Sequence, residues 1–334
     1  MTAHRFRPLR ILGTGISTPA QWLDSAALDE QLGLGVGSVQ ARTGVARRGR
    51  EPLRNAAEVA AEAALAAMQD AGVEAGDLDA VVCANASNDQ AMPCNAALLH
   101  RALGLQQTPA FDINASCIGF LMALDVVAGL FASGRYRRVL LTSCDLPSRA
   151  LDPLDIDTTG LFGDGAAAAV LAIDDDADGG PGLLTSRFET WSESAHACEI
   201  PGCGSRLPPS RYEGDYREVS TFRMDGKRLY RVAAEHFDRF VNALLDDARL
   251  DIAQIRRVVP HQASQLGMQH IIKRLDLPRC RIEDIFAEHG NQVSASLPTA
   301  LHLARHGGRL SAGDHALLIG TAAGVTLGGV VLRL

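Results

Sequence analysis

The segments QDAGVEAGDLDAVVCANAS (residues 69–87) and DDARLDIAQIRRVVPHQAS (residues 246–264) can be laid on each other with a constant shift of 177 residues. The same shift places Cys117 on Ser294, Asn114 on Asn291 and Leu140–Leu141 on Leu317–Leu318. Although Ala and Val matches occur easily by chance, one offset that holds over about 75 residues does not. The pattern predicts two copies of one folding unit.

Strand-like and helix-like segments alternate within each copy, which predicts an α/β fold. The predicted strands are 9–13, 78–84, 109–114, 138–144, 255–260 and 316–324, and the predicted helices are 55–71, 118–134, 227–248 and 294–307. Asn55 is the expected N-cap of the first helix, and Gly134 is expected to end the second. The polar, Gly-rich stretch 174–185 is expected to join the halves, which we place at 1–178 and 179–334. Residues 186–225 have little periodicity and resemble a long insertion or lid.

Composition narrows the class of protein. The chain has 334 residues, 47% hydrophobic and 21% charged, which is typical of a globular protein. No apolar run reaches the roughly 18 residues that span a bilayer, and the start of the chain lacks a secretory signal, so we expect a cytoplasmic protein without membrane contact. The net charge of −7 argues against general nucleic-acid binding. Seven irregularly spaced cysteines without a CxxC pair predict no metal site.

Three polar side chains are placed where chemistry is possible. Cys117 follows the strand 109–114 and opens an apolar helix, where the helix dipole and free backbone N–H groups would lower its pKa and favour the thiolate. His261 comes just after a buried strand, at the edge where α/β sheets bind ligands. Asn291 is the counterpart of Asn114 in the second copy, and its side-chain amide could donate a hydrogen bond to an oxyanion.

Each of these residues also has a plain structural interpretation. Cys117 could be a small packed hydrophobe, His261 a loop residue and Asn291 part of a Gly-Asn turn. The GTAAG stretch (320–324) could be a simple turn, or could let backbone N–H groups approach a substrate. The duplication favours function, because a pseudo-twofold relation brings strand ends of both copies to one centre.

These features together resemble the β-ketoacyl-acyl carrier protein synthase III family of thiolase-fold condensing enzymes. The resemblance spans nearly the whole chain and is carried by ILGTGISTP (11–19), ARTGVARR (41–48), SCIGF (116–120), LFGDGAAAAVL (161–171), VPHQAS (259–264) and HGNQVSASLP (289–298). It implies a thiolase-like fold, with two duplicated α/β halves packed as a five-layered αβαβα core. It also implies a homodimer that uses no metal or redox cofactor.

The resemblance implies roles for the site residues. Cys117 is the nucleophile that an acyl thioester acylates, and His261 and Asn291 stabilise the enolate formed when a malonyl thioester loses CO₂. The backbone N–H groups of Cys117 and Ala323 form the acyl oxyanion hole. The implied product is a β-ketoacyl thioester, in fatty-acid-like or specialised metabolite biosynthesis.

The chain departs from the family where coenzyme A would bind. Arg42 is present, but Ser38 stands where the family has a Trp that stacks on the adenine. Ile156 stands at the position of a second adenine-flanking Arg. Half of a stacking and cation–π clamp is therefore missing, which predicts weak or altered use of acyl-CoA. A thioester on acyl carrier protein, or a larger and unusual acyl group, is the alternative donor.

Further positions that the resemblance assigns to substrate or carrier protein are Met92, Arg231, Ser264, Lys273, Arg274 and Thr321. Met92 lies at the tip of the 89–94 loop, which in the family dimer enters the acyl tunnel of the neighbouring subunit. Arg231, Lys273 and Arg274 could meet an acidic carrier protein, although basic residues near a helix C-terminus can also simply complement its dipole. Ser264 and Thr321 replace a family Asn and a family aromatic residue.

Two other functions remain open from the sequence. One is an acyltransferase that moves the acyl group from Cys117 to an alcohol or amine, with His261 as general base. The presence of Asn291 argues against the acyltransferase, because acyl transfer alone needs no hydrogen-bond donor for decarboxylation. The other is a non-catalytic subunit of a heteromeric synthase, which the complete Cys–His–Asn set argues against.

Overall fold

The computed structural model describes residues 6–174 and 180–334 and contains two five-stranded sheets. The strands are β1 (Arg7–Pro8), β2 (Arg10–Ile16), β3 (Gln21–Asp24), β4 (Arg47–Arg50), β5 (Ala80–Cys83), β6 (Ala110–Asp112), β7 (Arg138–Asp145), β8 (Gly165–Ala172), β9 (Gly182–Thr190), β10 (Cys198–Glu199), β11 (Arg223–Met224), β12 (Arg257–Pro260), β13 (His315–Ala322) and β14 (Thr326–Arg333). The pairs β3–β4 and β10–β11 form small separate ribbons.

The α-helices are α1 (Ser25–Gln31), α2 (Ser38–Thr43), α3 (Ala56–Ala71), α4 (Asn95–Ala102), α5 (Gly119–Ala132), α6 (Ile156–Thr159), α7 (Arg217–Ser220), α8 (Gly226–Ala248), α9 (Gln265–Leu275), α10 (Phe286–His289) and α11 (Ser296–His306). As predicted, Asn55 caps α3: its side chain accepts a hydrogen bond from the Glu58 N–H, and the Glu58 carboxylate accepts one from the Asn55 N–H.

Four strands of each sheet repeat one arrangement, since β2-β8-β7-β5 corresponds to β9-β14-β13-β12, whereas β6 and β1 have no counterpart in the other sheet. The first has the order β2-β8-β7-β5-β6, with β7, β5 and β6 parallel to one another and β8 antiparallel to β7. The second has the order β1-β9-β14-β13-β12, with β12 and β13 parallel and β14 antiparallel to β13. A shift of 177 residues carries β5 onto β12 and β7 onto β13 without any displacement. The predicted duplication is therefore present in the structure.

The elements stack in five layers. α3 and α4 cover the outer face of the first sheet, and α8 and α9 cover the outer face of the second. α5 and α11 lie between the sheets, within the largest cluster of buried apolar side chains. The αβαβα order follows from this packing, and burial of apolar surface on both faces of each sheet stabilises it.

The predicted linker and insertion differ from the structure. β9 runs from Gly182 to Thr190, so the end of the predicted linker and the start of the predicted insertion together form one strand. Residues 175–179 of the predicted linker lie outside the described part of the chain. Arg7–Pro8, which the proposed division assigns to the first half, pairs with β9 of the second sheet. Gly320–Ala322 continue β13, so the predicted turn narrows to residues 323–325.

Among the described residues, no helix combines the length and the apolar character that are needed to cross a bilayer.

Candidate active site

A cavity of about 990 Å³ opens between the two halves. Cys117, His261, Asn291 and Ala323 all line it, although they are widely separated in the chain. Its size is at the upper end of the range of small-molecule sites. The sequence-based expectation that these groups converge is met by this geometry.

Cys117 lies in a short 3-10 turn, Ser116–Ile118, directly before α5. Asn114 stabilises the turn, because its Oδ1 accepts a hydrogen bond from the Ser116 N–H at 2.9 Å. The expected lowering of the thiol pKa is wrong. Burial raises the pKa of Cys117 above its usual value, and nearby Cys198 and Asp145 add to that effect.

Two backbone N–H groups lower the pKa of the Cys117 thiol and so oppose the effect of burial. They belong to Ala323 and to Cys117 itself, and both donate toward the sulfur. Ala323 occupies the turn between β13 and β14, followed by Gly324 with φ of 137°, a conformation that favours glycine. The turn therefore aims a backbone donor at the nucleophile.

His261 follows β12 and is almost fully buried. Its backbone N–H donates to the Ile319 carbonyl at 2.8 Å, which ties the residue to β13. Burial lowers the pKa of His261 to about 4, so the ring is neutral at physiological pH. Its Nδ1 is buried without a hydrogen-bond partner among the described residues.

Asn291 has its side chain fixed by two contacts. Its Nδ2 donates to the Ala263 carbonyl at 3.1 Å, and its Oδ1 accepts from the Val293 N–H at 2.8 Å. Ala263 lies two residues after His261 in the same loop. The amide can donate only through Nδ2, whose second hydrogen is left for a ligand in the cavity.

The remaining predicted residues divide into two groups. Ser264 and Thr321 line the cavity, and the Ser264 Oγ also caps α9 by accepting from the Gly267 N–H at 3.1 Å. Arg42, Met92, Arg231, Lys273 and Arg274 lie outside the cavity lining and are exposed on the surface. Met92 is 83% exposed.

Arg42 is engaged by a carboxylate. Its Nε and Nη2 donate to the two oxygens of Asp157 at 2.6 and 2.8 Å. Asp157 follows Ile156 at the start of α6, and the Ser38 hydroxyl donates to the Gly35 carbonyl. Of the three positions that would form a coenzyme A clamp, Ser38 and Ile156 therefore carry neither an aromatic ring nor a cation, and Arg42 is paired with Asp157.

Sequence reasoning missed most of the apolar wall of the cavity. Phe222, Met224 and Cys198 come from the segment predicted as an insertion or lid, and Phe162 packs edge-on against Phe222 at 5.2 Å between ring centroids. The aromatic and apolar residues of that segment were the sequence feature that could have indicated its place in the cavity wall. Within the described part of the chain, no group of three or more His, Cys, Asp or Glu side chains could hold a metal ion.

Comparison with known proteins places this chain in a family. Residues 111–191 match the family described as 3-oxoacyl-[acyl-carrier-protein] synthase III, and residues 245–334 match its C-terminal family. The β-ketoacyl-[acyl-carrier-protein] synthase III of Syntrophomonas wolfei is 31% identical over 97% of this chain and 97% of the relative. That of Clostridium perfringens is 30% identical over 97% and 99%.

Solved structures agree with the sequence relatives. The 3-oxoacyl-(acyl carrier protein) synthase III of Pseudomonas aeruginosa superposes with a TM-score of 0.88 at 32% identity, covering 98% of both chains. The priming β-ketosynthase of the R1128 polyketide pathway has a TM-score of 0.88 at 27% identity, covering 100% of this chain and 98% of that one. The predicted thiolase-like fold and the predicted class of acyl-transferring condensing enzyme are confirmed: the chain belongs to the β-ketoacyl-acyl carrier protein synthase III family.

Proposed function

We propose that this enzyme acylates Cys117 from an acyl thioester and then condenses the acyl group with a malonyl thioester, releasing CO₂. The observation that carries the proposal is that Cys117, His261 and Asn291 line one cavity, with the Ala323 N–H directed at the sulfur.

In the first step the Cys117 sulfur attacks the thioester carbonyl. A new carbon–sulfur bond forms, the bond to the donor thiol breaks, and the thiol proton ends on the departing thiol. The N–H groups of Cys117 and Ala323 stabilise the oxyanion of the tetrahedral intermediate. They also lower the cost of forming a thiolate in a buried site.

In the second step the malonyl thioester loses CO₂, and the electron pair of the broken bond forms an enolate. Neutral His261 and the free Nδ2 hydrogen of Asn291 donate to the thioester oxygen, where that charge develops. The carbanion then attacks the acyl-Cys117 carbonyl. The Cys117 sulfur leaves as the β-ketoacyl thioester forms.

The donor and partner are part of the proposal. Because Asp157 engages Arg42 and no aromatic ring stands at Ser38, we favour an acyl group delivered on acyl carrier protein over acyl-CoA. Exposed Arg231 and Lys273 offer positive charge to an acidic carrier, whereas Arg274 is already paired with Asp238. We further propose a cytoplasmic homodimer, with Met92 contacting the partner subunit, acting in fatty-acid-like or specialised metabolite biosynthesis.

Intact-protein mass spectrometry tests the first step. The enzyme is incubated with a panel of acyl-CoA and acyl-carrier-protein thioesters, and the added mass is mapped to a peptide. We expect one acyl group on Cys117, transferred faster from the carrier protein, and none on Cys117→Ala. If no thioester acylates Cys117, a non-catalytic subunit becomes the better description.

Release of CO₂ from malonyl-carrier protein tests the second step. Removing one oxyanion donor typically costs about 3 kcal/mol in the barrier, so Asn291→Ala should decarboxylate about 100-fold more slowly than the wild type. An unchanged rate would refute the role of Asn291. An acylated wild-type enzyme that releases no CO₂ but acylates an alcohol or amine would instead identify the acyltransferase.

A further inference from the structure

Asp145 is a buried carboxylate that the proposed reaction does not use. It is the last residue of β7, is fully buried and does not line the cavity. Both carboxylate oxygens accept hydrogen bonds, and the donors come from both halves of the molecule. A buried charge is costly unless several donors satisfy it, so its position calls for a physical reason.

From the first half, Asp145 binds the loop that follows β5. The Ser87 N–H and hydroxyl donate to Oδ1, both at 2.8 Å, and the Ala86 N–H lies 3.2 Å from each oxygen. The Ala86 carbonyl in turn accepts from Asn114 Nδ2 at 3.4 Å, and Asn114 holds the turn that presents Cys117. One side of Asp145 is thus linked to the nucleophile.

From the second half, Asp145 binds the turn that precedes α11. The Ser294 N–H donates to Oδ2 at 3.1 Å, and the Ser294 hydroxyl donates to the same oxygen. The preceding residue, Val293, donates its N–H to Asn291 Oδ1 at 2.8 Å. The other side of Asp145 is thus linked to the amide.

The duplication explains why these groups meet. Ser294 is the counterpart of Cys117 under the 177-residue shift, and each residue lies in a short 3-10 turn that opens a central helix. In the second copy, the position equivalent to the nucleophile carries a hydroxyl that donates to the carboxylate of the first copy.

We propose that Asp145 is a positioning residue that holds the turn of Cys117 and the turn of Asn291 in register across the interface of the two halves. The roles of those two residues rest on the proposed function, whereas the contacts of Asp145 do not. Because small misplacements of reacting groups slow a reaction strongly, loosening this link should reduce turnover more than substrate binding.

The charge of Asp145 also raises the pKa of the Cys117 thiol. A purely structural role of Asp145 would not change this pKa, so its measurement distinguishes the two roles. After burial, the groups that raise the pKa of Cys117 are Cys198 on β10 and Asp145 on β7, while His261 across the cavity is neutral. Removing the Asp145 charge therefore lowers the pKa of the Cys117 thiol.

The test compares Asp145→Asn with Asp29→Asn in the full-length enzyme. Asp29 is a matched control, because it is a buried carboxylate that accepts from the Gly37 and Val39 N–H groups at 2.7 and 2.8 Å, and it does not act on Cys117. The rate at which iodoacetamide alkylates Cys117 is measured by peptide mass spectrometry at pH 8, 9 and 10; at a pH below the raised pKa of the thiol this rate is proportional to the thiolate fraction. Condensation kinetics and thermal denaturation are measured in parallel.

For Asp145→Asn we expect faster alkylation of Cys117 at each pH, and kcat to fall about tenfold or more at nearly unchanged KM. Asp29→Asn should keep the wild-type alkylation rate. A folded Asp145→Asn enzyme with wild-type kcat, or with an unchanged alkylation rate, would overturn the proposal. If the wild type neither binds acyl groups nor condenses them, faster alkylation in Asp145→Asn still shows the Asp145 effect, so the two failures are distinguishable.

Ser294→Ala serves if Asp145→Asn does not fold. It keeps the carboxylate and its backbone donors but removes the hydroxyl that reaches across from the Asn291 turn. We expect decarboxylation to slow several-fold while acylation of Cys117 stays near the wild-type rate. Wild-type decarboxylation in a folded Ser294→Ala enzyme would overturn the proposal.

Discussion

Gly320 shows how closely single residues are fitted at the site. It lies in β13 against the side chain of His261, and a Cβ at this position would come within 2.8 Å of the His261 Cβ. Gly320→Ala should therefore displace His261, lower the free energy of unfolding by about 1–3 kcal/mol through overpacking, and slow decarboxylation. Differential scanning calorimetry and CO₂ release measure the two effects.

Gly129→Ala is the matched control for that substitution. Gly129 lies within α5, and a Cβ there meets no atom within 4 Å. Alanine is favoured over glycine in a helix by up to about 1 kcal/mol, so this variant should be as stable as the wild type or more stable, with unchanged activity. If both variants had the same stability and the same rate of decarboxylation, the close contact between Gly320 and His261 would not explain the effect of Gly320→Ala.

Individual site residues were predictable to different degrees. Cys117 and His261 could be found because each follows a strand, and Asn291 because the 177-residue shift places it on Asn114; in the structure Asn291 follows α10 and not a strand. Asp145 could not, since the 177-residue shift places it on Ala322 and its role depends on donors from two distant loops. The high pKa of Cys117 was also beyond reach, because it depends on how deeply the folded chain buries the thiol.

At the scale of elements, the segment between β9 and α8 shapes the cavity. Phe222 lines the cavity, packs against Phe162 and has its backbone N–H bonded to the Ala150 carbonyl at 2.7 Å. Phe222→Ala removes a ring from the wall, so longer or bulkier acyl groups should acylate Cys117 faster relative to short ones. Competition between acyl thioesters, read by mass spectrometry, measures that ratio.

Tyr212→Ala is the control from the same segment. Tyr212 packs against Tyr216 and does not line the cavity, so its loss should leave acyl selectivity unchanged. An identical change of selectivity in both variants would mean that the segment acts through its overall folding and not through the Phe222 ring.

The elements that the sequence mispredicted are the ones that depend on distant partners. β9 was divided between a linker and an insertion because GLLTSRFET contains several polar residues and no strict alternation. It is a strand because β14 and β1 pair with it on its two sides. By contrast, the amphipathic α8 and the Asn55-capped α3 were found within a residue or so, since their signals are local.

At the scale of the whole molecule, the repeat explains both the fold and the position of the site. The two halves meet at one cavity, and each copy supplies different groups there: a thiol from the first, an imidazole and an amide from the second. These three groups therefore meet only when both halves are folded and packed together. The stability of that packed state should depend on pH through the groups buried in it.

His261 gives that dependence its sign. Burial lowers its pKa to about 4, whereas in the unfolded chain the imidazole titrates near 6.5; His289 is shifted the same way. Between these values the unfolded chain binds a proton that the folded chain does not. The contribution is complete above pH 6.5 and is lost as the pH falls toward 4, by about 1.4 kcal/mol per pH unit for one histidine.

Urea denaturation at pH 7 and pH 5 measures this loss directly. The free energy of unfolding of the wild type should fall between the two, and the fall should be smaller in His261→Asn by about 2 kcal/mol, because an amide does not titrate. The comparison uses the difference between the two pH values, so a general destabilisation by the substitution cancels. An equal fall in both proteins would mean that the loss of the His261 proton on folding does not cause the pH dependence of stability.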